Sequence, residues 1–265
     1  MPLALLFAGL LPVGASAHDT WLTTEQQRVL AGKALQFSLT SGEHFPVPGA
    51  AIAPERIELA SCLQGSVAFE LKTGRRQAKV LELSATPPAA GGVSCSVRLA
   101  PRRLDLDVNK VQEYLDEIDA PQAVRDAWTA SPEPKRWMET YTKNAQVVVP
   151  GRPGGLTTPS ALPAGLKLGF VTDQALAQGA VNGPLGVTLL RDGKPLAGVS
   201  VSLSAQAGAP PQRQRTGPDG RVSFPQPAPG RWMLSATDLR LVDAGHSTWE
   251  SQFATLVFEI LPPAR

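Results

Sequence analysis

The chain has 265 residues and a formal net charge of +2, with 25 Lys and Arg scattered among 23 Asp and Glu, which argues against a nucleic-acid partner because that would need a clustered basic face. With 24 Gly, 25 Pro and few aromatics, the composition favours many short strands joined by turns over a helical bundle.

Residues 1–17 form an apolar run through Leu3, Leu5, Leu6, Phe7, Leu10, Leu11 and Val13 that closes on the small residues Ala15 and Ala17. This is the pattern of a secretory signal peptide, too short to span a bilayer. The first basic residue is Arg28, so the usual basic start is missing and a translation start upstream of Met1 is expected. Cleavage after Ala17 would leave His18 as the first residue of an exported, periplasmic chain. No later segment is long and apolar enough to cross a membrane, so no span is expected in the mature chain.

From Trp21 to Leu99 apolar residues alternate in short runs: Leu35, Phe37, Leu39; Ile57, Leu59; Val67, Phe69, Leu71; and Val93, Cys95, Val97, Leu99. Period two between turn residues predicts half-buried strands of an antiparallel sandwich. Cys62 and Cys95 are the only cysteines. In an exported chain an even count predicts a disulfide, and the alternation turns Cys95 into the core, where a bridge to Cys62 would pin two strands.

The period changes at Asp105. Val108, Val111, Leu115 and Ile118 fall at helical spacing, Pro121 can open a second helix, and Trp137, Met138, Tyr141, Ala145 and Val148 continue the period after Pro134. A helical insertion over 105–149 is therefore expected at the end of a first β domain, residues 18–150. Its aromatics Tyr114, Trp128, Trp137 and Tyr141 read as core groups rather than ligand-stacking ones. A Pro- and Gly-rich linker, 151–165, follows.

In 166–265, Leu185, Val187 and Leu189 alternate into the turn Arg191-Asp192-Gly193-Lys194, and Val199, Val201 and Leu203 alternate out of it. Pro218-Asp219-Gly220 and Pro229-Gly230 each open a further strand. The phrases RDGKPLAGVSVSL and TGPDGRVSFPQPAPGRWMLSA resemble the transthyretin-like, carboxypeptidase-regulatory-like modules of exported bacterial proteins. The expected fold is mainly β, two antiparallel β-sandwich (Ig/transthyretin-like) domains with a helical insertion at the end of the first.

Over the whole chain, AHDTWL at 17–22, SGEHFP at 41–46, YLDEI at 114–118, ETYTKNA at 139–145, DGKPLAGV at 192–199 and WESQFATLVFEI at 249–260 resemble a periplasmic family of unknown function often described as a nickel or cobalt uptake component. The resemblance implies binding of a transition-metal ion and partnership with a membrane metal permease or an outer-membrane receptor. Family members often read Val-His-Met where this chain has Ala236-Thr237-Asp238-Leu239, so Asp238 would replace that histidine, or His246 would compensate for it.

The chemistry of an N-terminal histidine fits such a role. His18 would offer its α-amine, with a reference pKa near 8, and its imidazole as two positions of a nitrogen-rich plane that suits Cu(II) or Ni(II). His44 could add a third nitrogen. Asp19, Glu43 and Glu250 are candidate oxygen ligands or acceptors that orient an imidazole. The expected function is a periplasmic nickel or cobalt binding accessory protein for metal uptake, with copper a further candidate ion. The alternative is a non-metal cell-envelope scaffold that recognises a partner protein or glycan through sandwich loops. There is no Gly-x-Ser-x-Gly elbow or His-Glu-x-x-His helix, and no enzymatic activity is expected.

Overall fold

The computed structural model describes residues 18–151, 162–173, 176–206 and 208–262. The expected signal peptide, and most of the expected linker, lie outside them.

The N-terminal part runs β1 (Asp19–Thr23), β2 (Leu35–Gly42), β3 (Ala50–Ala51), β4 (Ile57–Gln64), β5 (Val67–Glu70), β6 (Lys72–Arg76), β7 (Leu81–Ala85), β8 (Val93–Leu99) and β9 (Arg102–Leu106). Two short helices follow, α1 (Val111–Glu117) and α2 (Gln122–Thr129), and then the long strand β10 (Trp137–Val149). The C-terminal part comprises β11 (Leu168–Thr172), β12 (Leu185–Arg191), β13 (Lys194–Pro195), β14 (Ser200–Ala205), β15 (Gln212–Arg215), β16 (Arg221–Phe224), β17 (Gly230–Asp243) and β18 (Thr248–Ile260).

Among the described residues these strands make three sheets. The first has the order β1-β2-β7-β6 with β3 on β2, and the third has the order β11-β12-β13 with β16 on β12. Between them a large sheet runs β15-β14-β17-β18-β10-β8-β4-β5, with β9 beside the start of β10. Side chains alternate across a strand, and here both faces are covered. Val257 enters the core shared with the first sheet, whereas its neighbours Leu256 and Phe258 enter the core shared with the third. The two sandwiches therefore share their middle sheet.

The mainly β fold is as expected, and the sharing adds that the two sandwiches have one sheet in common. The seam is a parallel pair, β10 against β18, in register from Met138↔Thr248 to Val147↔Val257. A parallel pair needs a crossover, and here the crossover is the whole C-terminal sandwich.

The helical expectation over 105–149 is corrected. The capped turn after Asp107, α1 and α2 hold the part up to Thr129, with Asp107 accepting from the Asn109 backbone N–H and Pro121 preceding α2. Trp137–Val149 is instead a central strand, because Thr140, Thr142 and Val147–Val149 suit a pleated surface and both faces find partners. Trp137 stacks on Trp249 at 4.5 Å, with the rings of Trp128 and Tyr114 edge-on to it at 5.5 and 5.8 Å. This cluster seats the helices on the same face of the shared sheet as the first sheet, one beside the other.

The strand expectations hold elsewhere. Cys62 and Cys95 sit opposite one another on β4 and β8, fully buried, and form the expected disulfide. The turn between β12 and β13 places Asp192 and Gly193 at φ 49° and 75°, a backbone that Gly and Asp tolerate.

Candidate functional site

Where the helices and the first sheet stand side by side on the shared sheet, they leave a cavity of about 1050 Å³. Its floor is the inward face of β10, carrying Glu139, Tyr141 and Lys143, together with Phe253 from β18. Leu104, Leu106 and Tyr114 make one wall, and the residues after β2 make the other. His18, Glu43 and His44 are all on that second side.

The local sequence explains how the rim is held. Ser41 donates its hydroxyl to the Asp19 carbonyl at 2.9 Å, and Thr20 donates to the Ser41 hydroxyl at 3.2 Å, so the start of β1 is fastened to the end of β2. Gly42 follows because a Cβ there would lie 2.8 Å from the Trp21 ring. The loop beyond it turns back through a hydrogen bond from Val47 N–H to the His44 carbonyl, 2.7 Å, and is anchored by Phe45 edge-on to Trp21 at 5.8 Å. His18 Nε2 lies 3.2 Å from Glu43 Oε1. The Lys143 ammonium donates to the His18 carbonyl oxygen and to the Ser41 hydroxyl, and sits over the rings of Tyr141 and Phe253 at 5.7 and 5.4 Å.

Charge at the floor is buried. Glu139 is 2 % exposed and accepts from Tyr114 Oη at 3.0 Å, Trp137 Nε1 at 2.8 Å and the Ser251 hydroxyl. Burial outweighs these donors and raises its pKa above the ordinary carboxylate value, and burial likewise pushes the Tyr114 phenol well up. Burial also raises Asp19 to about 6 against the opposing pull of Lys143, and lowers Lys143 to about 8 against the pull of Asp19.

The structure gathers some of the sequence-derived candidates and separates others. His18, Glu43 and His44 share the cavity rim, whereas Asp19 lines a separate polar pocket with Glu43, Glu117 and Ser235 while still feeling the Lys143 charge. Asp238 and Glu250 are on the opposite face of the shared sheet, where Arg191 of β12 pairs with both, at 2.9 Å to Glu250, and Arg240 adds a second contact to Asp238 at 3.0 Å. Their position is that of an ion-pair clasp holding the third sheet. His246 is exposed in the β17–β18 turn and pairs with Asp243 at 3.2 Å. Among the described residues no group of three or more His, Cys, Asp or Glu side chains is spaced to hold a metal ion. A chelate through a terminal histidine requires fewer, since His18 and His44 together would supply three nitrogens once the α-amine is free.

Glu139 and Lys143 are not singled out by the sequence, and Tyr114 and Tyr141, expected as core groups, also line the cavity. The available signal was two charges at inward positions of a segment rich in β-branched residues.

Residues 15–238 match the model of the family described as "Domain of unknown function (DUF4198)". No curated protein matches the chain. Solved structures that it resembles include the D0-D1 domain of intimin, at 14 % identity over 90 % of this chain and 97 % of that one with a TM-score of 0.24. The ectodomain of mouse nectin-like molecule 4 is similar at 11 % identity over 93 % of this chain and 65 % of that one, TM-score 0.21. Domains MG0-NIE-MG1 of alpha-2-macroglobulin from Escherichia coli are similar at 10 % identity over 91 % and 97 %, TM-score 0.23. None of these likenesses bears on function.

Proposed function

Because the chain belongs to the DUF4198 family, whose function is unknown, we propose from its own site that it is an exported, periplasmic protein that binds a transition-metal ion as cargo at the cavity rim. Nickel or cobalt is the favoured ion and copper the next, and the protein serves metal uptake beside a membrane permease or an outer-membrane receptor.

The observation that carries this reading is the contact between His18 Nε2 and Glu43. A carboxylate that accepts from Nε2–H fixes the neutral tautomer whose lone pair is on Nδ1. Nδ1 is the nitrogen that closes a chelate ring with the α-amine of the same residue. Cleavage after Ala17 thus creates a two-nitrogen donor whose imidazole is already turned and in the correct tautomer, and His44 on the same rim contributes the third nitrogen. Nitrogen-rich donation of this kind suits nickel and copper and gives little to magnesium or calcium.

The test is calorimetric titration of the processed protein with Ni(II), alongside the intact mass of the secreted chain. A first residue at His18 and a loss of at least tenfold in affinity for both His44→Ala and Glu43→Gln support the reading, with His246→Ala unchanged. Unaltered affinity in His44→Ala and Glu43→Gln together would overturn the rim as the site.

A further inference from the structure

A metal ion fills little of a cavity of about 1050 Å³, and the floor carries groups that the ion does not use. Glu139 and Lys143 stand on the same face of β10, four residues apart, so their Cα atoms are separated by about 13 Å along the strand. Tyr141 lies between them, with Phe253 edge-on to it at 6.3 Å.

Each of the two charges has capacity left over. Glu139 takes two hydrogen bonds on Oε1 and one on Oε2, all from neutral partners, so its buried charge meets no cation among them and Oε2 retains an acceptor direction. Lys143, with the Asp19 carboxylate as its strongest electrostatic partner, donates to two oxygens, the His18 carbonyl and the Ser41 hydroxyl, out of three N–H groups. The floor therefore offers a carboxylate at the helical end and one remaining ammonium N–H at the rim end, with aromatic and aliphatic surface between.

We infer that this cavity is a binding site for a short peptide with free termini, lying along β10 with its ammonium at Glu139 and its carboxylate at Lys143. The length follows from the spacing. An extended residue spans about 3.5 Å, so a single amino acid is too short for the spacing of about 13 Å between the two Cα atoms, whereas two or three residues cover most of it and the side chains reach toward them. The direction follows from the charges, because the reversed peptide would set ammonium against ammonium and carboxylate against carboxylate. Tyr141, Phe253 and the Leu104–Leu106 wall accept the body of the peptide through apolar contact, which leaves side-chain identity loosely specified.

The site does not depend on a metal ion, so the experiment is done on the processed full chain with chelator present. Trialanine, N-acetyl-trialanine and trialanine amide are titrated calorimetrically. Trialanine binds, and blocking either terminus weakens binding at least tenfold. In Lys143→Met the amide and the free acid bind alike, while the N-acetyl form remains the weaker. Should Glu139→Gln fail to fold, the blocked peptides on the unaltered protein still decide the matter. Equal binding of free and blocked peptides, or no binding of trialanine at millimolar concentration, would overturn the inference and leave the metal reading standing.

Discussion

The ammonium of Lys143 donates to the backbone carbonyl oxygen of His18, which ties the first residue of the proposed mature chain to the middle of β10. The two are 125 positions apart in sequence and meet because β1 crosses over the shared sheet. The rim that would hold an ion and the floor that would hold a peptide are thereby one mechanical unit.

Asp19, next to His18 in the chain, gives the fold a pH signature. Its pKa rises from 3.8 to about 6 on folding, so the stability linked to it is complete below about pH 4 and is lost as pH climbs through 6. Lys143, lowered from 10.5 to about 8, has the opposite sign: its contribution is complete above 10.5 and lost as pH falls through 8. Asp19→Asn removes the first effect and, by taking away the carboxylate that holds the Lys143 pKa up, deepens the second, which acts at higher pH. The difference between the two proteins in urea-unfolding free energy therefore shifts by up to about 3 kcal/mol in favour of the variant between pH 4 and 6, at 1.36 kcal/mol for each pKa unit. Glu139 titrates with the same sign in both proteins and cancels from the comparison. A constant difference over that range would refute the assignment.

Arg191 tests whether Asp238 and Glu250 are structural. Replacing it with Met leaves Asp238, only 5 % exposed, with Arg240 alone, and the expected cost is about 2 kcal/mol. Nickel affinity stays where it was, because the clasp is on the far face of the sheet. Loss of metal binding in Arg191→Met with a native circular dichroism spectrum would reassign these carboxylates.

Between β4 and β8 the Cys62–Cys95 bridge closes a loop of 33 positions in the core. The Cys62→Ala, Cys95→Ala double variant should lose about 3 kcal/mol on the chain-entropy account. Since both sulfurs are fully buried, a mild thiol reductant should leave the folded protein oxidised and act only in denaturant. Mass-shift labelling of thiols with and without urea checks this.

Much of this architecture is legible wherever apolar and polar residues alternate along a strand. At Leu35–Leu39 the alternation reports a buried and a wetter side, and at Val93–Leu99 it marks the strand although Ser94 and Ser96 on the other face are buried too. Trp137–Val149 lacks that clean alternation. Thr142, Asn144 and Gln146 are buried toward the third sheet, and Glu139 and Lys143 interrupt the apolar series toward the first. The polar residues that make the cavity floor are the same ones that hid the strand's period. The rim was legible from the rarity of histidine and from the cleavage pattern. Its pairing with Glu43, and the exclusion of Asp238 and Glu250, depend on which face of a shared sheet each residue occupies, and no local spacing encodes that.

The central claim is that cleavage makes His18 a chelating residue. The direct measurement is the Ni(II) affinity of the processed chain beginning at His18 against the same chain with one alanine placed before it. The added residue removes the chelate ring's amine and leaves every side chain in place, so affinity should fall at least tenfold. Equal affinity for the two chains would contradict the account.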